Sequence, residues 1–500
     1  MTAPPAARNG GALASSSAAS RRRMLVPLAL AQFIASFAGS NMNVAITSIS
    51  KDLGTTVEGV QTAITLFLLC MAALMIPGSK LTDRLGRKRC FIMGLGVYGT
   101  GALLSALAPG LGVLILGYSG LEGVGSALMI PPIYILATML FSDLPSRARA
   151  FGLISGMGGI GAAAGPLIGG VITTAVSWRA SFLLQAAVVA MIAFMSRSIV
   201  DPVAPDPTRR FDVAGAVLSA IGMLALVLGI LQAGENTELM VLFLALGAGF
   251  LLWFFIHVRA IERAGGEPLL SLALFKDRRS NLGLITQNLQ WLLLMGSSFV
   301  ISVFLQVVRG YNAIKTGVIF TAATVGILVS SLAAERLAKR HEQRTLIRAG
   351  FVGAIAGIGL LLGLVHGSSN VVAFVPGLLL LGLGVGTMLT PSVNIVQSSF
   401  PEEQQGEISG LSRAVSNLGS SLGTAIVGTI IVSDVAAGTH GYAAAMIVLA
   451  GVALAGLAVA MFLPGEPSEQ TKAATADGSE QATPAGAEAG EPGAAAATRL

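Results

Sequence analysis

Apolar stretches long enough to cross about 30 Å of hydrocarbon follow one another along this 500-residue chain, with only short polar breaks between them. They fall at about residues 24–49, 57–79, 90–108, 111–141, 150–174, 180–200, 213–234, 239–261, 281–306, 314–334, 347–366, 370–398, 408–433 and 440–463, fourteen in all. Backbone polar groups in lipid must be satisfied within their own segment, and the stretches lack the alternating period of a barrel strand. Each is therefore read as a helix. A soluble chain needs about a quarter of its residues charged; here 11% are, against 54% hydrophobic residues and a mean hydropathy of +0.78. That excludes an ordinary soluble globule and predicts an all-α polytopic membrane protein.

The few charges give the topology. With the N-terminus inside, 27 of the 31 Lys and Arg fall in inner segments, and only Lys51, Arg179, Arg309 and Lys315 fall outside. This bias predicts both termini in the cytoplasm, and a thirteen-span reading would spoil it. The net charge of +6 thus reports membrane orientation rather than nucleic acid. Arg21 to Arg23 precede an apolar stretch of about 26 residues, too long for a cleaved signal, so it is read as a retained first span. Residues 1–23 and 464–500, rich in Ala, Gly, Pro, Ser or Glu, read as disordered tails. Two cysteines and four scattered histidines make neither a disulfide scaffold nor a metal site, and no Gly-Lys-Ser/Thr phosphate loop occurs. No metal, cofactor or enzymatic activity is expected.

An internal repeat is visible. Asp83-Arg84-Leu85-Gly86-Arg87-Lys88 after span 2 recurs 252 residues later as Glu335-Arg336-Leu337-Ala338-Lys339-Arg340 after span 10. Ile154-Ser155-Gly156, Gly165 and Gly169 in span 5 recur as Ile408-Ser409-Gly410, Gly419 and Gly423 in span 13, offset by 254. Gly123-Val124-Gly125 in span 4 recurs as Gly384-Val385-Gly386 in span 12, offset by 261. Spans 1–6 thus repeat as spans 9–14. The predicted organisation is a six-helix bundle over 24–200, a linker and inserted helix pair over 201–262, and a second six-helix bundle over 263–463. Parallel six-helix repeats are the plan of many secondary transporters, with the substrate path between the halves.

Two motifs carry a family resemblance. Gly78, Asp83, Arg84, Gly86, Arg87 and Lys88 resemble the loop 2-3 signature of the major facilitator superfamily. Such a cluster can act as a conformational latch, with Asp83 pairing to Arg87 or to a neighbouring span. Gly152, Gly161, Gly165-Pro166 and Gly169-Gly170 match the span 5 signature that marks antiporters in that superfamily. Gly161, Gly165 and Gly169 lie along one helical face and permit close contact, while Pro166 kinks the helix. With fourteen spans, the chain resembles the drug:proton antiporter branch, the QacA/EmrB type of multidrug exporter. Asn43-Val44-Ala45, Trp178-Arg179, Pro268-Leu269-Leu270, Leu274-Phe275 and Gly310-Tyr311 with Gly317 also fit that branch, over residues 24–463. The resemblance implies a major facilitator fold and export of small compounds by proton antiport, from a plasma membrane of bacterial inner-membrane type. A monomer is expected.

The departures from the family's pattern are as informative. The acid usual in span 1, five residues before the Asn of the Asn-Val-Ala phrase, is here Ala38; the Arg usual in span 4 is Ser119, followed by Glu122-Gly123. Glu122 lies about eleven residues, or roughly 16 Å, into span 4. An acid near the midplane is a functional hypothesis by default, so Glu122 is read as exchanging a proton or binding a cationic substrate, or else as a protonated packing residue. Polar side chains expected to line the path are Asn41 and Asn43 in span 1, Gln61 in span 2, and Gln287, Asn288 and Gln290 in span 9, with Gln32 and Ser40 beside them. Amides also serve as interhelical glue. Two alternatives stay open: a facilitator or exchanger without proton coupling, and a transport-inactive receptor or assembly protein.

Overall fold

The computed structural model describes residues 18–141, 144–199, 201, 211–232, 236–338, 340–366, 370–400, 404–433 and 439–465. Of the expected tails, residues 1–17 and 466–500 lie outside the described residues, as do the side chain of Asp83 and the surroundings of Gly152, whereas residues 18–23, expected to be disordered, already belong to the helix Ala18–Asn41 that continues into the first span. The chain divides into one unit, Met1–Leu463, which holds every crossing helix, and the tail Pro464–Leu500.

Among the described residues the structure is helical, with no strand. The membrane-crossing helices are α1 Met24–Val44, α2 Val57–Thr82, α3 Arg87–Ala106, α4 Leu111–Ala137, α5 Leu144–Ala175, α6 Trp178–Met195 and α7 Val213–Leu231. They continue with α8 Thr237–Arg263, α9 Arg278–Val308, α10 Ala313–Ala333, α11 Gln343–Leu364, α12 Val371–Gln397, α13 Glu407–Ile431 and α14 His440–Met461. Thirteen of these described helices are long and apolar enough on their own, and α5 makes the fourteenth: it bends by 40° between Gly156–Ala162 and Ala164–Ala175. The bend is where Pro166 removes a donor and its ring meets the carbonyl four residues back.

Short polar residues start the helices by accepting hydrogen bonds from otherwise orphaned N–H groups. Thr56 Oγ1 caps α2 from Gly59 N at 3.1 Å, Asp212 caps α7 from Gly215 N at 2.8 Å, and Asp277 caps α9 from Ser280 N at 2.6 Å. The α2–α3 turn depends on Gly86, whose φ of +96° is costly for any residue with a Cβ.

The packing repeats as the sequence does. In the first six spans α1 packs on α5, α3 on α4 and on α6; in the last six α9 packs on α13, α11 on α12 and on α14. The two sets meet through α2 against α13 and α5 against α10, which exchange under the same repeat. The inserted α7 and α8 pair with each other, and α7 leans on α2 and α13. Only 11% of α8 is buried, against 78% of α1, so α8 presents its surface to lipid. This agrees with two six-helix repeats and an inserted hairpin.

Glycine sets the close contacts, because apolar side chains gain little by leaving equally apolar lipid. A Cβ on Gly161, Gly165 or Gly169 would collide with Phe33, Ser40 or Asn41 of α1. Gly170 faces Ala313 of α10, and Gly317 of α10 faces Pro166. The repeat positions Gly419 and Gly423 meet Asn288 and Leu292 of α9 in the same way. Overpacking such a contact costs about 1–3 kcal/mol. Gly161→Leu is therefore expected to lower the thermal midpoint of the purified protein by several degrees, whereas Gly159→Leu, with nothing within 4 Å of its Cβ position, leaves it unchanged. Equal melting of the two variants would refute the stripe as a packing face.

Candidate functional site

Glu122 is fully buried. It ends an eight-residue π-helical turn, Ile115–Glu122, inside α4; such turns are rare and occur mostly at functional sites. The extra residue per turn re-aims the side chains around it. Tyr118 donates to the Ala38 carbonyl of α1 at 3.1 Å, and Ser119 donates to the Ala63 carbonyl of α2 at 2.7 Å. The three departures from the family pattern thus lie together: Tyr118, one turn from Glu122, takes up the Ala38 carbonyl, and Ser119 ties α4 to α2. Tyr118 stacks on Phe67 of α2 at 4.5 Å and meets Phe182 of α6 edge-on at 5.8 Å, which seals the place from water.

The Tyr98 hydroxyl of α3 lies within electrostatic reach of Glu122, but its one proton goes to Gln185 Oε1 of α6 at 2.6 Å. Neither Glu122 oxygen has a hydrogen-bond partner among the described residues. A buried, unsatisfied carboxyl in the middle of a span is costly.

The expected path amides mostly tie helices together. Asn41 Nδ2 donates to Ser181 Oγ of α6 at 3.0 Å, and Gln61 Nε2 to the Thr424 carbonyl of α13 at 3.3 Å. Gln287 donates to Ser416 at 2.8 Å and accepts from Ser412 at 3.0 Å, while Asn288 donates to the Val415 carbonyl at 2.9 Å. Gln290 differs: it is 1% exposed and neither of its amide atoms has a partner among the described residues. The Oδ1 atoms of Asn41 and Asn43 are also without partners there.

At the end carrying the basic loops, Gly78 sits against the Ala127 carbonyl of α4. Lys88 reaches the α6–α7 linker, its backbone N–H donating to Asp201 at 3.1 Å and its ammonium to the Arg197 carbonyl at 3.0 Å. Arg87 is buried and Arg84 exposed. Contacts across the two sets of six come from other residues. Lys80 of α2 pairs with Glu407 of α13 at 3.5 Å, and Arg413 of α13 bonds to the Tyr134 hydroxyl of α4 with its guanidinium over that ring. At the opposite end, Gln306 of α9 donates to the Asn43 carbonyl at 2.7 Å and accepts from Thr47 N and Oγ1 at 3.3 and 3.2 Å.

Sequence reasoning did not single out Gln306, Lys80, Glu407 or Arg413. Lys80 stands inside the loop signature, and Glu407 and Arg413 flank the repeated Ile408-Ser409-Gly410, so those three carried a signal; Gln306 carried none. Among the described residues no cluster of His, Cys, Asp and Glu could hold a metal.

The Major Facilitator Superfamily family model matches residues 28–424 and 292–492. The puromycin resistance protein pur8 of Streptomyces alboniger is 30% identical over 481 residues, covering 92% of this chain and 94% of that protein. The multidrug efflux pump LfrA of Mycolicibacterium smegmatis is 28% identical, covering 81% of this chain and 80% of its own length. A crystal structure of the peptide transporter POT in complex with sulfate superposes with a TM-score of 0.64 at 16% identity, over 88% of this chain and 95% of that one, which supports the fold. With the matched helices and the duplicated packing, the chain belongs to the major facilitator superfamily, a family of multi-pass membrane transporters of small molecules.

Proposed function

We propose that the chain is a secondary active exporter of small, partly apolar compounds that works by alternating access, a proton entering on Glu122 as substrate leaves. The carrying observation is Glu122 itself, a fully buried acid at a π-helical turn with no hydrogen-bond partner among the described residues. Such a group needs a task other than packing, and a proton is the ligand that removes its charge. The puromycin resistance protein and the multidrug efflux pump among its relatives support export and a drug-like substrate. The proposal includes a plasma-membrane monomer with both termini cytoplasmic, and no enzymatic activity.

Alternating access fits the ties at the two ends. Gln306 holds α1 to α9 at one end; Lys80–Glu407 and Tyr134–Arg413 hold the two sets of six at the other. Releasing one set while keeping the other would expose the path to one side at a time. A facilitator or exchanger without protons is the second reading, favoured by Ala38 and Ser119 standing where the branch usually has charges.

Two measurements test this. In vesicles with an imposed pH gradient, Glu122→Gln is expected to lower gradient-driven ethidium efflux at least tenfold; full-rate efflux in that variant removes the proton role, and dye movement indifferent to the gradient in the wild type favours the facilitator. Gln306→Leu is expected to raise the reaction of Ser48→Cys, beside the clasp but not part of it, with a membrane-impermeant maleimide severalfold, whereas unchanged labelling means that Gln306 holds nothing closed.

A further inference from the structure

The surroundings of Glu122 include a hydroxyl, that of Tyr98, whose one donated bond ends on a side chain that can let it go. A Cβ on Gly101 of α3 would meet Glu122 N at 2.7 Å, and one on Gly125 of α4 would meet Tyr98 N at 2.5 Å. The backbones of α3 and α4 are therefore in contact at this level, and Tyr98 lies alongside Glu122. Tyr98 and Gln185 are both fully buried, and their hydrogen bond at 2.6 Å joins α3 to α6. Gln185 Nε2 has no acceptor among the described residues, so this single bond is what anchors the amide.

The titratable groups facing Glu122 are few. Tyr98 comes from α3, Tyr118 from α4 itself, and Cys70 from α2, whose thiol points to the Gly120 carbonyl at 3.8 Å. Tyr118 already donates to a main-chain carbonyl at Ala38. Tyr98 donates to a side-chain amide, which can be let go.

We infer that Tyr98 and Gln185 are positioning residues that convert the protonation of Glu122 into a change between α3 and α6. While Glu122 holds its proton it is neutral and needs no donor, and the Tyr98 O–H donates to Gln185 Oε1. When the proton leaves, the carboxylate has no donor, and the Tyr98 O–H turns from Gln185 to Glu122. The Tyr98–Gln185 bond is exchanged for a Tyr98–Glu122 bond, and the proton that leaves is the carboxyl's own. Gln185 is then left without a partner at either amide atom, an arrangement costly in a dry interior, and α6 loses this hydrogen bond to α3. Loss of a proton at α4 thus loosens the back of the six-helix unit, the kind of local change that biases a two-state element.

This rests on the proposed proton role of Glu122, and the experiment separates the two. The reporter is the infrared carboxylic-acid band of the full chain in phosphatidylethanolamine and phosphatidylglycerol vesicles, identified by its loss in Glu122→Gln and titrated with pH. A hydrogen bond to a charged group changes proton affinity by about tenfold or more. Tyr98→Phe removes the donor to the carboxylate, so its band is expected to titrate at higher pH by that factor. Gln185→Leu frees the Tyr98 proton for the carboxylate, and its midpoint is expected at lower pH. Midpoints that match the wild type, or that move in the same direction in both variants, overturn the inference and leave the proton role standing. Absence of any titrating band assigned to Glu122 overturns both. If a variant does not fold, ring-labelled tyrosine in the wild type gives the same reading: the Tyr98 C–O band must shift in the same pH step as the acid band, and a band that stays fixed refutes the device.

Discussion

The constraint on which the rest depends is that a backbone surrounded by lipid has no water to complete its hydrogen bonds. Every crossing segment must be helical, and once it is helical the chain has little left to hold one helix against another, because burying Leu against Leu gains almost nothing over burying it against an acyl chain. The specific contacts are therefore made by what is small and by what is polar. Gly161, Gly165 and Gly169 let α5 sit directly on α1, and Gly419 and Gly423 do the same for α13 on α9. The duplicated glycines leave duplicated contacts, so the repeat in sequence becomes a repeat in packing.

Polar side chains complete the fixation and also limit it. Asn41, Gln61, Gln287 and Asn288 each spend a donor on another helix, and each such bond is modest, about 1 kcal/mol or less in a membrane. Modest bonds suit a protein whose two sets of helices must part. The ties between the sets are of this graded kind: a three-bond clasp at Gln306, a partly exposed ion pair at Lys80–Glu407, and a guanidinium shared with a tyrosine at Arg413. None is a dry, fully paired charge network, which would resist opening.

The fold was legible in the sequence because the features that dictate it are one-dimensional. A helix that must cross hydrocarbon announces its length, and every described span falls within a few residues of an apolar run. The bend in α5 was legible in Pro166 and the turn after α2 in Gly86, since both are local backbone effects. The site was legible only in part. Glu122 stood out because charge is scarce, yet its π-helical turn and its neighbours Tyr98 and Gln185 depend on how α3 and α6 rotate against α4, which no pattern along the chain records. The amides show the same limit in reverse: composition marked them as polar, but only packing distinguishes Gln287, with both its amide groups engaged, from Gln290, with neither. Gln306 was invisible because its partners include the main-chain atoms of Asn43 and Thr47, and a main chain has the same chemistry at every residue.

Ala38, Ser119 and Glu122 have to be understood together. Where the branch usually divides charge between an acid in the first span and an Arg in the fourth, this chain has one acid, and the vacated positions are taken by Tyr118 bonding to the Ala38 carbonyl and by Ser119 bonding to α2. A paired acid can release its proton and leave its charge beside a resident cation. Glu122 has no cation among its electrostatic neighbours within the described residues, so its ionised form must be met by a dipole that turns toward it, or by a cationic substrate. On the proposed reading the first tightens coupling, because the charge cannot exist without a rearrangement of its neighbours, and the second makes substrate and proton compete for one carboxylate. On that reading, the scarcity of charge that placed the chain in the membrane also ties proton loss either to a rearrangement of neighbours or to the arrival of substrate.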